Sequence, residues 1–341
     1  MKFTGKLFAA SLEIGRLTGW RTFGLGVIVL LGVACSHPPA SPAEKPVVET
    51  TTPTPSPVAK EQSHAVQGQM HNVLFHFSEG VAAHIETLTG ELVPLGTNSM
   101  PVFDDKSSFE VRVTHAKISV SPVALASVMN TYVFAKPDAP FKNLSITIEG
   151  DRLRVKGRLH SKGDIPFENV GSLSTTSDGR IRIHIEKVKA LRVPVKGLMN
   201  LLGIDLANIL NTSKVPGIDM DKDDVILDMS KLLPPPRIQG FVTAARIENN
   251  EFVTIFGTPD GAPAMEKGNY MSFRGGRIRF GKLTMDDADI TVLDLDPGDP
   301  LDWNQDRFKD QIVAGYCKIT PTFGLRAYIK DYNKLPRAPK K

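Results

Sequence analysis

Basic side chains at alternate positions form the most chemically distinctive pattern in this sequence. They are Arg152, Arg154, Lys156 and Arg158. Alternate residues of a strand point to one face, so the four cations would form a basic stripe opposite Leu153 and Val155. Such a stripe either attracts anionic lipid headgroups, at about 1 kcal/mol per residue near a charged surface, or is the solvated face of a sheet. Nucleic acid is not an expected partner, because no aromatic residues interleave with these cations.

Familiar catalytic and cofactor motifs are absent from the sequence. There is no nucleophile elbow, no HExxH or CxxC motif and no EF-hand loop. Residues 276–283, GRIRFGKL, match a phosphate-binding loop only until Leu283, which replaces the magnesium-binding Ser or Thr, and they alternate like a strand. We therefore expect no enzymatic activity and no cofactor. A hydrolase whose nucleophile and base converge only in the fold is kept as an alternative.

Two groups of residues have the chemistry of metal ligands but not the spacing. Seven aspartates lie between Asp286 and Asp302, and their spacing fits no calcium loop, which favours a solvated acidic turn. His76 and His84 are expected on opposite faces of the first hairpin, which argues against a shared metal ion. We therefore predict no metal site.

The N-terminus has the composition of a targeting segment. Residues 1–22 contain four basic residues against Glu13, and residues 23–34 form an uncharged run of twelve, FGLGVIVLLGVA. This run is shorter than the roughly 20 residues that a spanning helix needs and is typical of a signal-peptide core. We expect residues 1–34 to be a signal peptide. Without them the formal charge of +4 falls to about +1, which gives no general attraction for nucleic acid.

Cys35 directly follows this predicted signal core. Residues 31–35, LGVAC, resemble the lipobox of bacterial lipoproteins, with Gly32 where the usual pattern has leucine. The resemblance implies that Cys35 becomes the acylated first residue of the mature chain, and Ser36 implies sorting to the outer membrane. Acyl chains anchor a protein because each buried methylene contributes about 0.8 kcal/mol. Cys317 lies in an apolar context and is expected to be buried, with a Cys35–Cys317 disulfide as the alternative.

A low-complexity segment follows the predicted lipidation site. Residues 36–67 hold seven prolines and few large apolar side chains, so they cannot bury a core. We expect residues 35–67 to be an extended tether that reaches up to roughly 100 Å. The whole chain, with 341 residues of which 41% are hydrophobic, is long enough for one large or two small cores beyond it.

Period-two alternation broken by turn residues predicts five hairpins from Gln69 onward. In each hairpin, the turn sets which residues lie opposite each other. The predicted pairs are Phe77–Val81 and Val73–Ile85 in the first hairpin, Ile148–Leu153 and Ile146–Val155 in the second, Leu173–Ile183 in the third, Ile247–Phe252 in the fourth, and Phe273–Ile278 and Met271–Phe280 in the fifth. The alternation changes parity after Val113, which predicts a bulge near Thr114.

Two segments have helical spacing instead. Ser121 followed by Pro122 is typical of a helix start, and Leu125, Val128 and Met129 recur at helical spacing after it. The second segment is residues 195–210, VKGLMNLLGIDLANIL, whose leucines and isoleucines form a wide apolar face. Both segments are more apolar than a solvent-facing helix requires, so each should pack on the sheet.

This order of strands and helices resembles the tubular lipid-binding (TULIP) superfamily and the phospholipid-binding envelope proteins of actinobacteria. The segments KNLSITIEGDRLRVKG and DGRIRIHIEKVKALRVPVKGLM carry the resemblance, which covers about residues 109–257. It implies an α+β fold in which a long, curved, antiparallel, meandering sheet packs on two apolar helices around an elongated cavity, and it brings no catalytic residue. We therefore divide the mature chain into a TULIP-like lipid-binding domain at residues 68–258 and a β-rich C-terminal extension at residues 259–341.

The leading functional hypothesis is a lipid-anchored envelope lipoprotein that binds a phospholipid or another long apolar ligand between helix and sheet. The expected cavity side chains are Leu125, Val128, Met129, Leu198, Leu202 and Ile209, each of which could instead belong to a closed core. The alternative is a structural or assembly lipoprotein that docks a protein partner and binds no ligand. Either protein would sit on the periplasmic face of the outer membrane. A hollow apolar interior would favour the first hypothesis, and a packed one the second.

Overall fold

The computed structural model describes residues 65–160, 164–190, 215–258, 265 and 267–336, with the backbone alone for residues 188–190. These residues lie within one unit, Ala59–Lys341. The predicted signal peptide, Cys35, almost all of the tether and the predicted helix at residues 195–210 lie outside the described residues.

Strands dominate the described residues. They are β1 (Val66–Ser78), β2 (Val81–Pro94), β3 (Phe109–Val120), β4 (Phe141–Glu149), β5 (Arg152–His160), β6 (Asp164–Thr175), β7 (Ile181–Ala190), β8 (Ile218–Asp221), β9 (Asp224–Leu227), β10 (Arg237–Gln239), β11 (Val242–Glu248), β12 (Glu251–Phe256), β13 (Tyr270–Arg274), β14 (Ile278–Phe280), β15 (Leu283–Met285), β16 (Asp289–Asp294), β17 (Leu301–Asn304), β18 (Tyr316–Ile319) and β19 (Leu325–Ile329). The helices are α1 (Pro122–Val128), α2 (Met229–Leu232) and α3 (Phe308–Val313), with a π-helical turn at Met129–Val133 and a 3-10 turn at Tyr332–Lys334.

The described strands form two principal sheets and one small hairpin. The large sheet has the order β11-β12-β3-β2-β1-β13-β16-β19-β18, with β10 beside β3 and β17 beside β1. The second sheet has six strands in the order β4-β5-β6-β7-β9-β8, and β14 pairs with β15 alone. The predicted α+β class is confirmed. The single meander is replaced by two sheets, because the chain leaves β3 through α1 and starts a new sheet at β4.

The large sheet is mixed, although most of its strand pairs are antiparallel. Three pairings are parallel, namely β10 with β3, β17 with β1 and β16 with β19. The predicted C-terminal extension joins this sheet directly, because β13 lies antiparallel to β1 with Met271 opposite Met70. Residues after 259 therefore widen the sheet that the first hairpin begins.

Hairpin registers set by short turns follow the sequence closely. Ile148 lies opposite Leu153 and Ile247 lies opposite Phe252, as predicted. The other confirmed pairs are Ile146 with Val155, Leu173 with Ile183, and Val73 with Ile85. Phe77 does not face Val81, because Ser78 takes that place and Phe77 is the extra residue of a bulge.

The predicted bulge of β3 is confirmed. Thr89 of β2 lies opposite His115 and the next residue, Gly90, lies opposite Val113, so Thr114 is the extra residue. The Thr114 hydroxyl donates a hydrogen bond to the Thr89 carbonyl at 2.9 Å. The insertion lets the apolar residues before and after it keep one buried face despite their change of parity.

The predicted hairpin at residues 275–276 is wrong. Phe273 lies opposite Ile290 of β16, and the Gly275 N–H donates to the Ala288 carbonyl at 2.8 Å. The intervening residues leave the sheet as the β14–β15 hairpin, whose Arg279 carbonyl accepts a 2.8 Å hydrogen bond from the Phe103 N–H. The Gly275–Gly276 turn therefore redirects the chain, but pairing with the distant segment at Phe103 determines the position of β14.

The apolar interior differs between the two ends of the large sheet. Next to β13 and β17 it is densely filled by aromatic rings that surround Phe103, with centroid distances of 4.7 Å to Phe280 and 5.3 Å to Phe273. Between β2, β3 and β12 and the six-stranded sheet, the interior contains the cavity described below.

Candidate functional site: an apolar cavity between the sheets

A cavity of about 210 Å³ lies between the large sheet and the six-stranded sheet. It is larger than the roughly 150 Å³ of an engineered apolar cavity that binds benzene. The two sheets meet near Gly179, whose carbonyl accepts a 3.1 Å hydrogen bond from the Val242 N–H. Gly179 has a φ of +78°, and a Cβ there would lie 2.5 Å from the Phe241 ring. Glycine is therefore required at this junction.

The first wall of the cavity is helix α1. The Ser121 hydroxyl accepts a 3.2 Å hydrogen bond from the Ala124 N–H and caps the helix, and Pro122 is its first residue. This start turns Leu125, Val128 and Met129 inward, where they are buried and line the cavity. Val123, on the opposite side of the helix, is 75% exposed. The other three expected cavity residues, Leu198, Leu202 and Ile209, lie outside the described residues.

The second wall is the inner face of the six-stranded sheet. Cross-strand pairs such as Ile146 and Val155 place one apolar row after another on this face. Several of its side chains, including Phe167 and Ile183, are only half-buried. Phe273 in the aromatic part of the core has no accessible surface at all. The accessible surface of these inward-facing side chains borders the cavity.

The chemistry of the cavity wall is almost purely that of a hydrocarbon. Of the described residues that line it, 33 in number, the two polar ones are Asn169 and Thr254. No lining residue in this part of the chain is acidic, basic or a cysteine, so the wall offers no general base or nucleophilic thiol. The Thr254 hydroxyl donates to the Ile118 carbonyl at 3.4 Å. Burial of an apolar ligand is the chemistry that this wall supports.

The basic stripe lies on the outer face of β5, because the alternate residues Leu153 and Val155 line the cavity. All four cations are paired with carboxylates. The pairs are Arg152 with Glu186 at 2.7 Å, Arg154 with Glu149 and Glu168, Lys156 with Glu168 at 3.6 Å, and Arg158 with Asp164 at 3.7 Å. The hydrogen bond from Arg152 holds the pKa of Glu186 below its usual value. Membrane contact by this stripe stays a prediction, and the ion pairs weaken its attraction for an anionic surface.

Two residues of the acidic stretch lie with Asp331 in a carboxylate cluster that already has a lysine ammonium beside it. Asp296, Asp299 and Asp331 form a cluster, and the Lys334 ammonium lies 2.6 Å from Asp296 and 2.8 Å from Asp331. These hydrogen bonds raise the pKa of Lys334, whose ammonium therefore offsets part of the negative charge of the cluster. Burial raises the pKa of the neighbouring Asp294.

The prediction that His76 and His84 point to opposite faces is wrong. His84 lies opposite Leu74, which shares a face with His76 two residues along the strand. The histidines nevertheless bind different partners. Nε2 of His76 lies 2.7 Å from Oδ1 of the buried Asp302, and Nε2 of His84 lies 2.8 Å from Oδ1 of Asn72.

Two further sequence features have ordinary structural roles. Residues 278–280 of the segment that resembles a phosphate-binding loop form β14, as their alternation indicates. The prediction of a buried Cys317 is wrong, because it lies exposed in β18 at the edge of the large sheet, where it is a free thiol.

Comparisons of the chain with protein-family models, curated proteins and solved structures gave no match. None of the helices in the described ranges combines the length and the hydropathy needed to cross a bilayer. Function is therefore inferred from the residues of the cavity.

Proposed function

We propose that the protein is a lipid-anchored lipoprotein of the cell envelope that binds a lipid or another long apolar molecule between its two sheets. The observation that carries this proposal is the cavity of about 210 Å³ with its hydrocarbon wall. Ten methylene groups that move from water into such a wall contribute about 8 kcal/mol before the entropic costs of binding. Burial of a long hydrocarbon chain is therefore the main source of affinity that this wall offers.

The energetic cost of an empty cavity supports occupancy. Side chains that border unfilled space lack the dispersion contacts that packed neighbours would give them. Protein interiors are normally packed to the density of organic crystals. A bound hydrocarbon chain would recover the lost contacts.

A cavity-filling substitution tests ligand binding directly. Val128 faces the cavity and Val123 faces solvent on the same helix, so Val128→Trp and Val123→Trp form a matched pair. The full chain and both variants are purified from native membranes, and their bound lipids are extracted and quantified by mass spectrometry. We expect a stoichiometric lipid in the wild type and in Val123→Trp, and its loss in Val128→Trp. Equal lipid content in all three would contradict the proposal.

The anchor and the location are proposed from the sequence around Cys35. Mass spectrometry of the mature N-terminal peptide should find an acylated Cys35, and the protein should fractionate with the outer membrane and be protected from protease added outside the cell. Cys35→Ser should remove the acyl modification and take the protein out of the outer-membrane fraction, whereas Cys317→Ser, at the exposed free thiol, should do neither. Retention of the Cys35→Ser protein in the outer membrane would contradict lipid anchoring.

A second candidate function is partner docking, which the edge strand β18 favours. Three apolar side chains around it are largely exposed, with Val313 at 86%, Ile319 at 74% and Phe323 at 84%. An extended segment of a partner could pair with this edge. A photo-crosslinking residue at position 319 should then capture one defined partner in intact cells, whereas the same residue at position 123 should not. Absence of a specific adduct would leave lipid binding as the sole proposal.

A further inference from the structure

Asn169 is a polar residue in an apolar row. On β6 it lies between Phe167 and Gly171 at alternate positions, and it sits opposite Val155 of β5. Asn169 lines the cavity and is half-buried, and its carboxamide makes no hydrogen bond to the residues that the structure describes. Thr254, the other polar lining residue, already donates to the Ile118 carbonyl. Asn169 is thus the described lining residue with free hydrogen-bonding capacity.

We infer that Asn169 hydrogen-bonds a neutral polar group of the ligand, so that the cavity selects an uncharged long-chain amphiphile with a hydroxyl or ester carbonyl. This inference rests on the proposed function and narrows its ligand class. A carboxamide offers two N–H donors and one carbonyl acceptor, so it can pair with either group. In an apolar wall, such a bond favours the ligand that completes it.

Because no described lining residue is charged, the cavity cannot accommodate an ionised group of the ligand. An ionised carboxylate or phosphate in the cavity would lose its hydration without gaining a cation. The basic side chains of β5 lie on the other face of the sheet, where glutamates and an aspartate already pair with them. The cavity therefore admits only neutral groups, and a ligand with an ionisable headgroup must lose its charge to enter.

The test compares ligands of one chain length in displacement of a neutral fluorescent probe, N-phenyl-1-naphthylamine, from the full chain. The ligands are decane, decanol and methyl decanoate. We expect Asn169→Leu to weaken binding of decanol and methyl decanoate about three- to tenfold while binding of decane is unchanged. Ser174→Leu, at an exposed position of the same strand that does not line the cavity, is the control, and it should change none of the three affinities. A parallel loss for decane and decanol in Asn169→Leu would overturn the inference.

A measurement on the wild type keeps the inference testable if Asn169→Leu does not fold. Methyl decanoate carrying a carbon-13 carbonyl is bound, and its infrared stretch is compared with that in hexane. We expect a shift to lower frequency, as a hydrogen-bonded carbonyl requires, and a frequency equal to that in hexane would overturn the inference. If none of the ligands displaces the probe, the proposed function fails as well. Displacement by all ligands without selectivity overturns only the role of Asn169.

Discussion

Nε2 of His76 lies 2.7 Å from Oδ1 of Asp302, and the pair ties the first hairpin to β17 near the C-terminus. Asp302 is 4% exposed, and its other oxygen accepts a 3.1 Å hydrogen bond from the Asn333 N–H. Removal of His76 would take away the imidazole beside a buried carboxylate oxygen that has no hydrogen-bond donor among the described residues. We therefore predict that His76→Ala and Asp302→Ala each lower the free energy of unfolding by about 2–3 kcal/mol.

Urea denaturation followed by tryptophan fluorescence measures this effect, because Trp303 is fully buried beside the pair. The double variant should lose less than the sum of the two single losses, since both remove the same interaction. His84→Ala, which breaks the bond to Asn72, is the control and should cost about 1 kcal/mol. Additive losses at His76 and Asp302 would show that the two residues act independently.

Deletion of Thr114 should be far more damaging than its replacement. Thr114→Ala removes the hydrogen bond to the Thr89 carbonyl, which is worth about 1 kcal/mol. Deletion instead shifts Ala116 and Ile118 to the opposite face of β3 and exposes the residues that form one side of the interior. Circular dichroism and thermal unfolding should show a folded Thr114→Ala protein and an unfolded deletion variant. A deletion variant that melts like the wild type would mean that the bulge does not fix the faces of β3.

Local turn chemistry explains which parts of the fold are predictable from the sequence. The registers beside Gly150 and Asn249 depend on a few adjacent residues, and both are confirmed. The pairing of β13 with β16 depends instead on contacts between the β14–β15 excursion and Phe103, far away in the chain. No local pattern encodes such a contact. For the same reason, the sequence gives no indication of the close contact between His76 and Asp302.

Only part of the candidate site can be predicted from the sequence. The helical spacing of Leu125, Val128 and Met129 placed three side chains on one face, and these line the cavity. Asn169 was missed, although its parity with Phe167 puts it on the apolar face of β6 and could have revealed it. Cavity volume depends on how far apart two sheets lie, and that distance is a product of tertiary packing with no signature in hydrophobic spacing.

Ligand binding should stabilise the protein by a predictable amount. A ligand that binds only the folded state adds about 2.7 kcal/mol to the free energy of unfolding at a hundredfold excess over its Kd. We predict this increase for delipidated protein with decanol, measured as the shift in urea midpoint. Val123→Trp should respond like the wild type, and Val128→Trp should show no shift because its indole fills the site. A shift of equal size in Val128→Trp would place the decanol elsewhere.

Binding of a fatty acid should depend steeply on pH. Because no described lining residue can pair with a carboxylate, decanoate must enter as the protonated acid. Its apparent affinity should therefore fall about tenfold for each pH unit above the carboxyl pKa, while the affinity for decanol stays constant. Titration calorimetry between pH 5 and pH 8 checks this expectation. Decanoate affinity that does not change with pH would mean that the carboxylate stays in water at the mouth or meets a cation.

Asp228 should give part of the stability its pH dependence. Its carboxylate caps α2 by accepting the Ser230 N–H at 3.1 Å, and it lies 2.7 Å from the Lys231 ammonium. Burial acts to raise the pKa of Asp228, but the hydrogen bonds from Lys231 and Ser230 outweigh it and lower the pKa below the usual value. The ionised carboxylate therefore stabilises the fold above about pH 4, and this contribution disappears as the pH falls through the lowered pKa.

We predict that Asp228→Ala costs about 1 kcal/mol at pH 7, and that Asp228→Asn, which can still cap, costs less. Urea denaturation at pH 7, 5 and 3 measures this effect, and the difference in unfolding free energy between wild type and Asp228→Asn should shrink at the lowest pH. The exposed control Asp138→Asn should show no such trend. A difference that persists unchanged at pH 3 would assign the effect of Asp228→Asn to side-chain shape and not to charge.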